Sequence, residues 1–143
     1  MNRFIFCIAA ALALFNTFPS PVLGEKESQW DYLNKYVDNV SEDASNLLKT
    51  EPLKSRLENL ARTNYQDLLT NMGTMSPLLR ENGILYLTGN KPHSGTDNAA
   101  AVVIDPSQDL VFVWLKLNDE SLEFKERETL PELPSDVKAV MSN

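Results

Sequence analysis

The sequence predicts an α+β fold in which N-terminal helices pack on one face of a four- or five-stranded antiparallel meander sheet, followed by a short C-terminal helix. Three observations predict it. Apolar residues recur at helical spacing between Glu25 and Met72. After Gly73 the pattern changes to short extended runs. The links between those runs are too short for crossover connections, so consecutive strands run antiparallel. Helices first and a meander afterwards segregate the two kinds of element, the arrangement of an α+β domain.

In chain order the first element is an export signal. Arg3 supplies a positive start, Phe4 to Phe15 an apolar run, and Asn16, Thr17, Pro19, Ser20 and Pro21 interrupt that run before it reaches the about 20 residues a membrane span needs. Val22 and Gly24 are small residues three and one positions before a cut ahead of Glu25; a cut after Ala13 is the alternative and would shorten the apolar run. The chain is thus divided into a signal peptide, 1–24, and one domain, 25–143, destined for the periplasm or for secretion. Removing the signal takes away Arg3 and no acid, so the net charge moves from −7 to −8. Such a surface repels nucleic acid and anionic lipid and steers basic partners. The signal also takes away Cys7, the chain's one cysteine. The remaining domain must therefore fold without a disulfide and has no thiolate chemistry.

Trp30, Leu33, Val37 and Val40 mark the first helical stripe, and Leu53, Leu57, Leu60, Leu68 and Met72 the second. Thr50 suits the N-cap of the second helix, with Glu51 and Pro52 in its first turn and Gly73 at its end. Trp30, Tyr36 and Tyr65 read as packing residues at this spacing. Strands are expected at Ile84 to Thr88, Ala99 to Ile104, Leu110 to Leu117 and Ser121 to Arg127, with a shorter one around Leu78. Asp105-Pro106-Ser107-Gln108 has type I turn chemistry, and Asn118-Asp119-Glu120 makes a second tight link. In the third strand Val111, Val113, Leu115 and Leu117 share one face and Phe112, Trp114 and Lys116 the other, so both faces are partly covered. The last strand alternates like a half-solvated edge. Ser135 is placed to cap a terminal helix over Asp136 to Met141.

The distinctive irregular segment runs from Gly89 to Asn98 and holds the one histidine, His93. Two glycines, Pro92 and several small polar residues make it a protruding hairpin loop that presents His93. An enzyme is not expected. Ser94 is adjacent to His93, where neighbouring side chains diverge; there is no G-x-S-x-G elbow and no phosphate-binding glycine loop, and a metal site would want several histidines or cysteines where one histidine remains. No cofactor or metal is expected either. From the residues alone the loop is an ordinary turn or a rigid finger that contacts a partner.

The run Lys91-Pro92-His93, set between strands and followed by Ala101-Val102-Val103-Ile104-Asp105, resembles the Ivy family, periplasmic inhibitors of vertebrate (C-type) lysozyme. In that family the loop reads C-K-P-H-D-C. The resemblance implies a partner-binding loop of Lys91, Pro92, His93, Ser94 and Gly95, supported by Gly89, Asn90, Thr96 and Asp97, that enters the lysozyme cleft with His93 toward the catalytic acids. The family's two loop cysteines align with Asn90 and Gly95, and its loop aspartate with Ser94. The loop therefore lacks a covalent staple, and Pro92 with hydrogen bonds from Asn90, Ser94, Thr96 or Asp97 would have to substitute. The departure leaves open a weaker inhibitor, a different target, or a relative that has lost inhibition. The rival is a periplasmic binding or assembly module using this loop or the Phe112 and Trp114 face. A homodimer stays open in either case.

Overall fold

The computed structural model describes residues 28–41 and 46–143. The proposed signal peptide lies outside the described residues, as do Glu42 and Asp43. Described in chain order, a 3₁₀ helix over Asp31–Tyr36 and a 3₁₀ turn over Leu47–Lys49 precede two α-helices, α1 (Leu53–Ala61) and α2 (Tyr65–Asn71), linked by a 3₁₀ turn at Arg62–Asn64. Six strands follow, β1 (Thr74–Met75), β2 (Leu79–Glu81), β3 (Ile84–Asn90), β4 (Ala99–Asp105), β5 (Leu110–Leu117) and β6 (Glu120–Lys125), and then α3 (Ser135–Met141). The sheet is antiparallel in the order β1-β3-β4-β5-β6, with β2 also paired to β3. The α+β class and the meander stand as expected. The sixth strand is the two-residue β1, too short to leave an alternating pattern in the sequence.

The helical half differs from its expected form in three places. Trp30, Leu33 and Tyr36 are buried, a spacing of three that suits the three residues per turn of a 3₁₀ helix. The chain then leaves the helix at Val37, bridges to Leu78, and exposes Val40 instead of burying it. The second stripe is split at Arg62, whose φ is +51°. The split lets α1 pack over β5 and β6 while α2 turns to β3 and β4. Thr50 is not a cap: its hydroxyl donates to Asn46 O at 3.1 Å, while the Glu51 carboxylate accepts the Ser55 N–H and hydroxyl at 3.2 and 2.7 Å.

Both faces of the sheet are covered. Leu85, Leu87, Val102, Ile104, Val111, Val113 and Leu115 meet the helical half. On the other face Tyr86, Val103, Phe112 and Trp114 lie under Val137 of α3, with Leu130, Leu133, Val140 and Met141 around it. Phe112 and Trp114 are 0% and 2% exposed, so this surface belongs to the core and is not free to bind a partner. The N-terminal helices lie on one face, as expected, and α3 covers the other because the C-terminal segment folds back. Ser135 holds it there without acting as a cap. Its N–H and hydroxyl donate to the two Glu81 carboxylate oxygens at 3.0 and 2.7 Å, which keeps that carboxyl below the usual range. Among the described residues no helix is long and apolar enough to cross a membrane.

Turn chemistry sets the register. Asn82 and Gly83 both have positive φ between the paired Glu81 and Ile84, as do Asn118 and Asp119 between Leu117 and Glu120. Both are two-residue hairpins of the type I′ kind. In the β4–β5 turn the buried Asp105 carboxylate accepts the Ser107 and Gln108 N–H groups at 2.9 and 3.2 Å.

Candidate functional site

The His93 segment leaves the sheet later than its composition suggests. Gly89 and Asn90 pair with Ala100 and Ala99 of β4 on one side and with Met75 and Thr74 of β1 on the other. They belong to β3, so the loop proper is 91–98. Pairing to β1 extends the ladder there, which the sequence around Gly89 does not disclose.

Two consecutive turns build the loop. Its base is closed by the Lys91 N–H donating to Asn98 O at 2.9 Å. Ser94 N–H donates to Lys91 O at 3.2 Å, with Pro92 second and His93 third in the turn. His93 has φ +64°, the positive value that a type II turn requires at that place. Asp97 N–H then donates to Ser94 O at 3.2 Å, with Gly95 at φ +58° in the second position. Histidine tolerates the left-handed region better than most side chains. It sits at a bend, exposed, together with exposed Lys91, Pro92, Gly95, Thr96 and Asp97; Ser94 is half-buried. Among the described residues the side chains of Lys91 and His93 make no hydrogen bond or ion pair.

Three sets of contacts hold this shape. Asn90 Nδ2 donates to Gly95 O and to Lys91 O, each at 3.4 Å. A hydrogen bond thus links Asn90 and Gly95 across the loop. The β5–β6 turn supports the far side, with Asp119 N–H donating to Asp97 O and Asn118 N–H to Asn98 Oδ1, both at 3.3 Å. Lys116 fixes that turn by reaching Asp119 at 3.1 Å and Asn143 O at 2.9 Å.

Beneath the loop lies the end of α2. Asn71 is 1% exposed and its Nδ2 donates to Ala99 O at 3.0 Å and Lys116 O at 2.7 Å. A Cβ added at Gly73 would stand 2.8 Å from Pro92 Cδ, and one at Gly89 would stand 2.7 Å from Met72 Sδ. Both glycines are sites of close approach. The sequence reading placed Gly73 only as a helix stop and did not single out Asn71. No spacing signal ties Gly73 to a proline 19 residues later.

Beside the loop a groove of about 480 Å³ is lined by Thr74, Met75, Thr88, Asn90, Thr96 and Val140, among others. None of its lining side chains is charged. Among the described residues no three His, Cys, Asp or Glu side chains come together to hold a metal. The arrangement offers an exposed imidazole and, two residues before it, an exposed ammonium, neither of which has a hydrogen-bond or ion-pair partner among the described residues.

A family model described as Inhibitor of vertebrate lysozyme (Ivy) matches residues 52–143, which take in α1, α2, the whole sheet, the His93 loop and α3. Neither the curated proteins nor the solved structures give a match.

Proposed function

This chain belongs to the Ivy family, the inhibitors of vertebrate lysozyme, and on that premise we propose that it blocks a lysozyme by inserting the Lys91-Pro92-His93-Ser94-Gly95 loop into the active-site cleft. The observation that carries this reading is the state of His93: exposed, at the bend of a hydrogen-bonded turn, with its imidazole uncommitted within the chain. A retaining glycosidase holds two carboxylates about 5 Å apart. A protonated imidazole can donate from both ring nitrogens and matches such a pair. Lys91 adds a second cation, and Asn90, Thr96 and Asp97 support the loop.

The negative charge of the chain favours encounter with a basic enzyme through long-range steering. Export through residues 1–24, a periplasmic or secreted location and a non-catalytic domain over 25–143 form part of the same proposal. The rival binding-module reading loses its second surface, since Phe112 and Trp114 are buried.

The test is hydrolysis of bacterial cell walls by vertebrate lysozyme with the exported protein in molar excess. Inhibition is expected, and full lysozyme activity would remove the reading. His93→Ala is then expected to weaken inhibition by about 1–3 kcal/mol, the range for a charge-assisted hydrogen bond. An unchanged inhibition constant would rule out the histidine contact.

A further inference from the structure

We propose that the Asn71-Met72-Gly73 turn at the end of α2 is the seat that orders the His93 loop in place of a covalent staple, and that Gly73 is its positioning residue. The proposal rests on the reading of this loop as the inhibitory one. Its basis is the convergence of three close contacts on three consecutive residues. Asn71 fastens the turn to the first residue of β4 and to β5 through Ala99 O and Lys116 O. Met72 Sδ closes over Gly89, just before the loop, at a distance that leaves no room for a Cβ. Gly73 receives the Pro92 ring, whose Cδ and Cγ would stand 2.8 and 3.1 Å from an added Cβ.

Apart from the Lys91 N–H to Asn98 O bond that closes its base at 2.9 Å, the direct hydrogen bonds within the loop are long. Ser94 to Lys91 and Asp97 to Ser94 are 3.2 Å, and Asn90 to Gly95 is 3.4 Å. Bonds of that length and exposure do not fix a loop by themselves. Pro92 contributes a ring with a fixed φ, and a ring packed on a backbone surface cannot swing without opening that contact. Gly73 has no positive φ that would demand glycine. The close approach of Pro92 is therefore its steric reason, together with Thr70 O, 3.1 Å from the same added Cβ. A loop ordered before docking has less entropy to lose when it binds.

The experiment is a double-mutant cycle of Gly73→Ala and Pro92→Ala, read by the lysozyme inhibition constant and by backbone ¹⁵N order parameters of the loop. Gly73→Ala is expected to raise the inhibition constant roughly tenfold and to lower the order parameters of Ser94 and Asp97 from about 0.85 toward 0.6. In the Pro92→Ala background, where no ring remains to be displaced, Gly73→Ala adds nothing to either readout. Unchanged order parameters, or an equal loss in both backgrounds, overturns the seat. The second outcome would assign the effect to Thr70 O. If the parent protein inhibits no vertebrate lysozyme, the inhibitory reading fails while the order parameters still decide whether Gly73 positions the loop.

Discussion

At the end of the sheet where β4 turns into β5, Arg56 of α1 clamps three segments together; at the opposite end, where β3 turns into β4, the His93 loop has no ion pair of its own among the described residues. Arg56 donates from Nε and Nη2 to Glu126 at 2.8 and 2.7 Å, from Nη1 to Asp109 Oδ1 at 3.0 Å, and from Nη2 to Asp109 O at 3.1 Å. Its guanidinium also lies 5.3 Å from the Trp30 ring, and Trp30 Nε1 donates to Asp109 at 3.0 Å. Glu126 in turn accepts the Val111 N–H at 2.7 Å. The loop itself has neutral hydrogen bonds at 2.9–3.4 Å and a proline ring on a glycine, and the ion pair beside it, Lys116–Asp119 at 3.1 Å, lies in the supporting β5–β6 turn. Short, charge-assisted bonds are about twice as strong as neutral ones. Stability is concentrated away from the surface proposed to meet a partner, which lets that loop be small and sterically open.

The largest test of that division is Arg56→Leu. It removes four hydrogen bonds from a side chain only about a quarter exposed and leaves Glu126 facing Val111 without its cation. A loss of about 2–3 kcal/mol is expected from urea unfolding at constant slope. Inhibition of lysozyme by the folded fraction should not change. A weakened inhibition constant in fully folded protein would show that the two ends are coupled.

His93→Gly probes the other end and should act in the opposite sense on stability. Relieving a non-glycine residue at φ +64° is expected to stabilise the turn by up to about 1 kcal/mol, while inhibition falls with the loss of the imidazole. A drop in thermal midpoint would mean that the imidazole has a structural contact and is not held solely for a partner.

The smallest effect is the acid limb of stability. Burial raises the Asp109 pKa, but hydrogen bonds and charge from Arg56, with Trp30 and Gln29, outweigh it and hold the carboxyl below its usual value. A depressed folded pKa gives stability that is present above the unfolded value, about 4, and lost as pH falls through the folded one. Unfolding free energy should therefore decline below about pH 4, and the decline should be shallower in Arg56→Leu, which lacks the cation responsible. Parallel acid limbs in the two proteins would remove Asp109 from the explanation.

Much of this was legible in the residues. The four long strands, their antiparallel order and the buried aromatics Trp30, Tyr36 and Tyr65 follow from local periodicity, and the structure carries them within a few residues. The exposed His93 turn was legible because Pro92 and Gly95 mark bends wherever they occur in a loop. The strand assignment of Gly89 and Asn90 was not, since it depends on pairing with β1. Nor was the burial of Phe112 and Trp114, which a segment about 20 residues later covers.

By itself the sequence determined the class of fold, the place of the loop and the chemistry it displays, because hydrophobic period, turn residues and net charge act over short stretches of chain. Only the tertiary structure decided that one helical stripe is two helices, that the C-terminal segment is what covers the second face of the sheet, and that Gly73 receives Pro92. Each of these depends on which distant atoms meet at a few ångströms, and burial of backbone groups and steric exclusion act at that range whatever the separation in sequence.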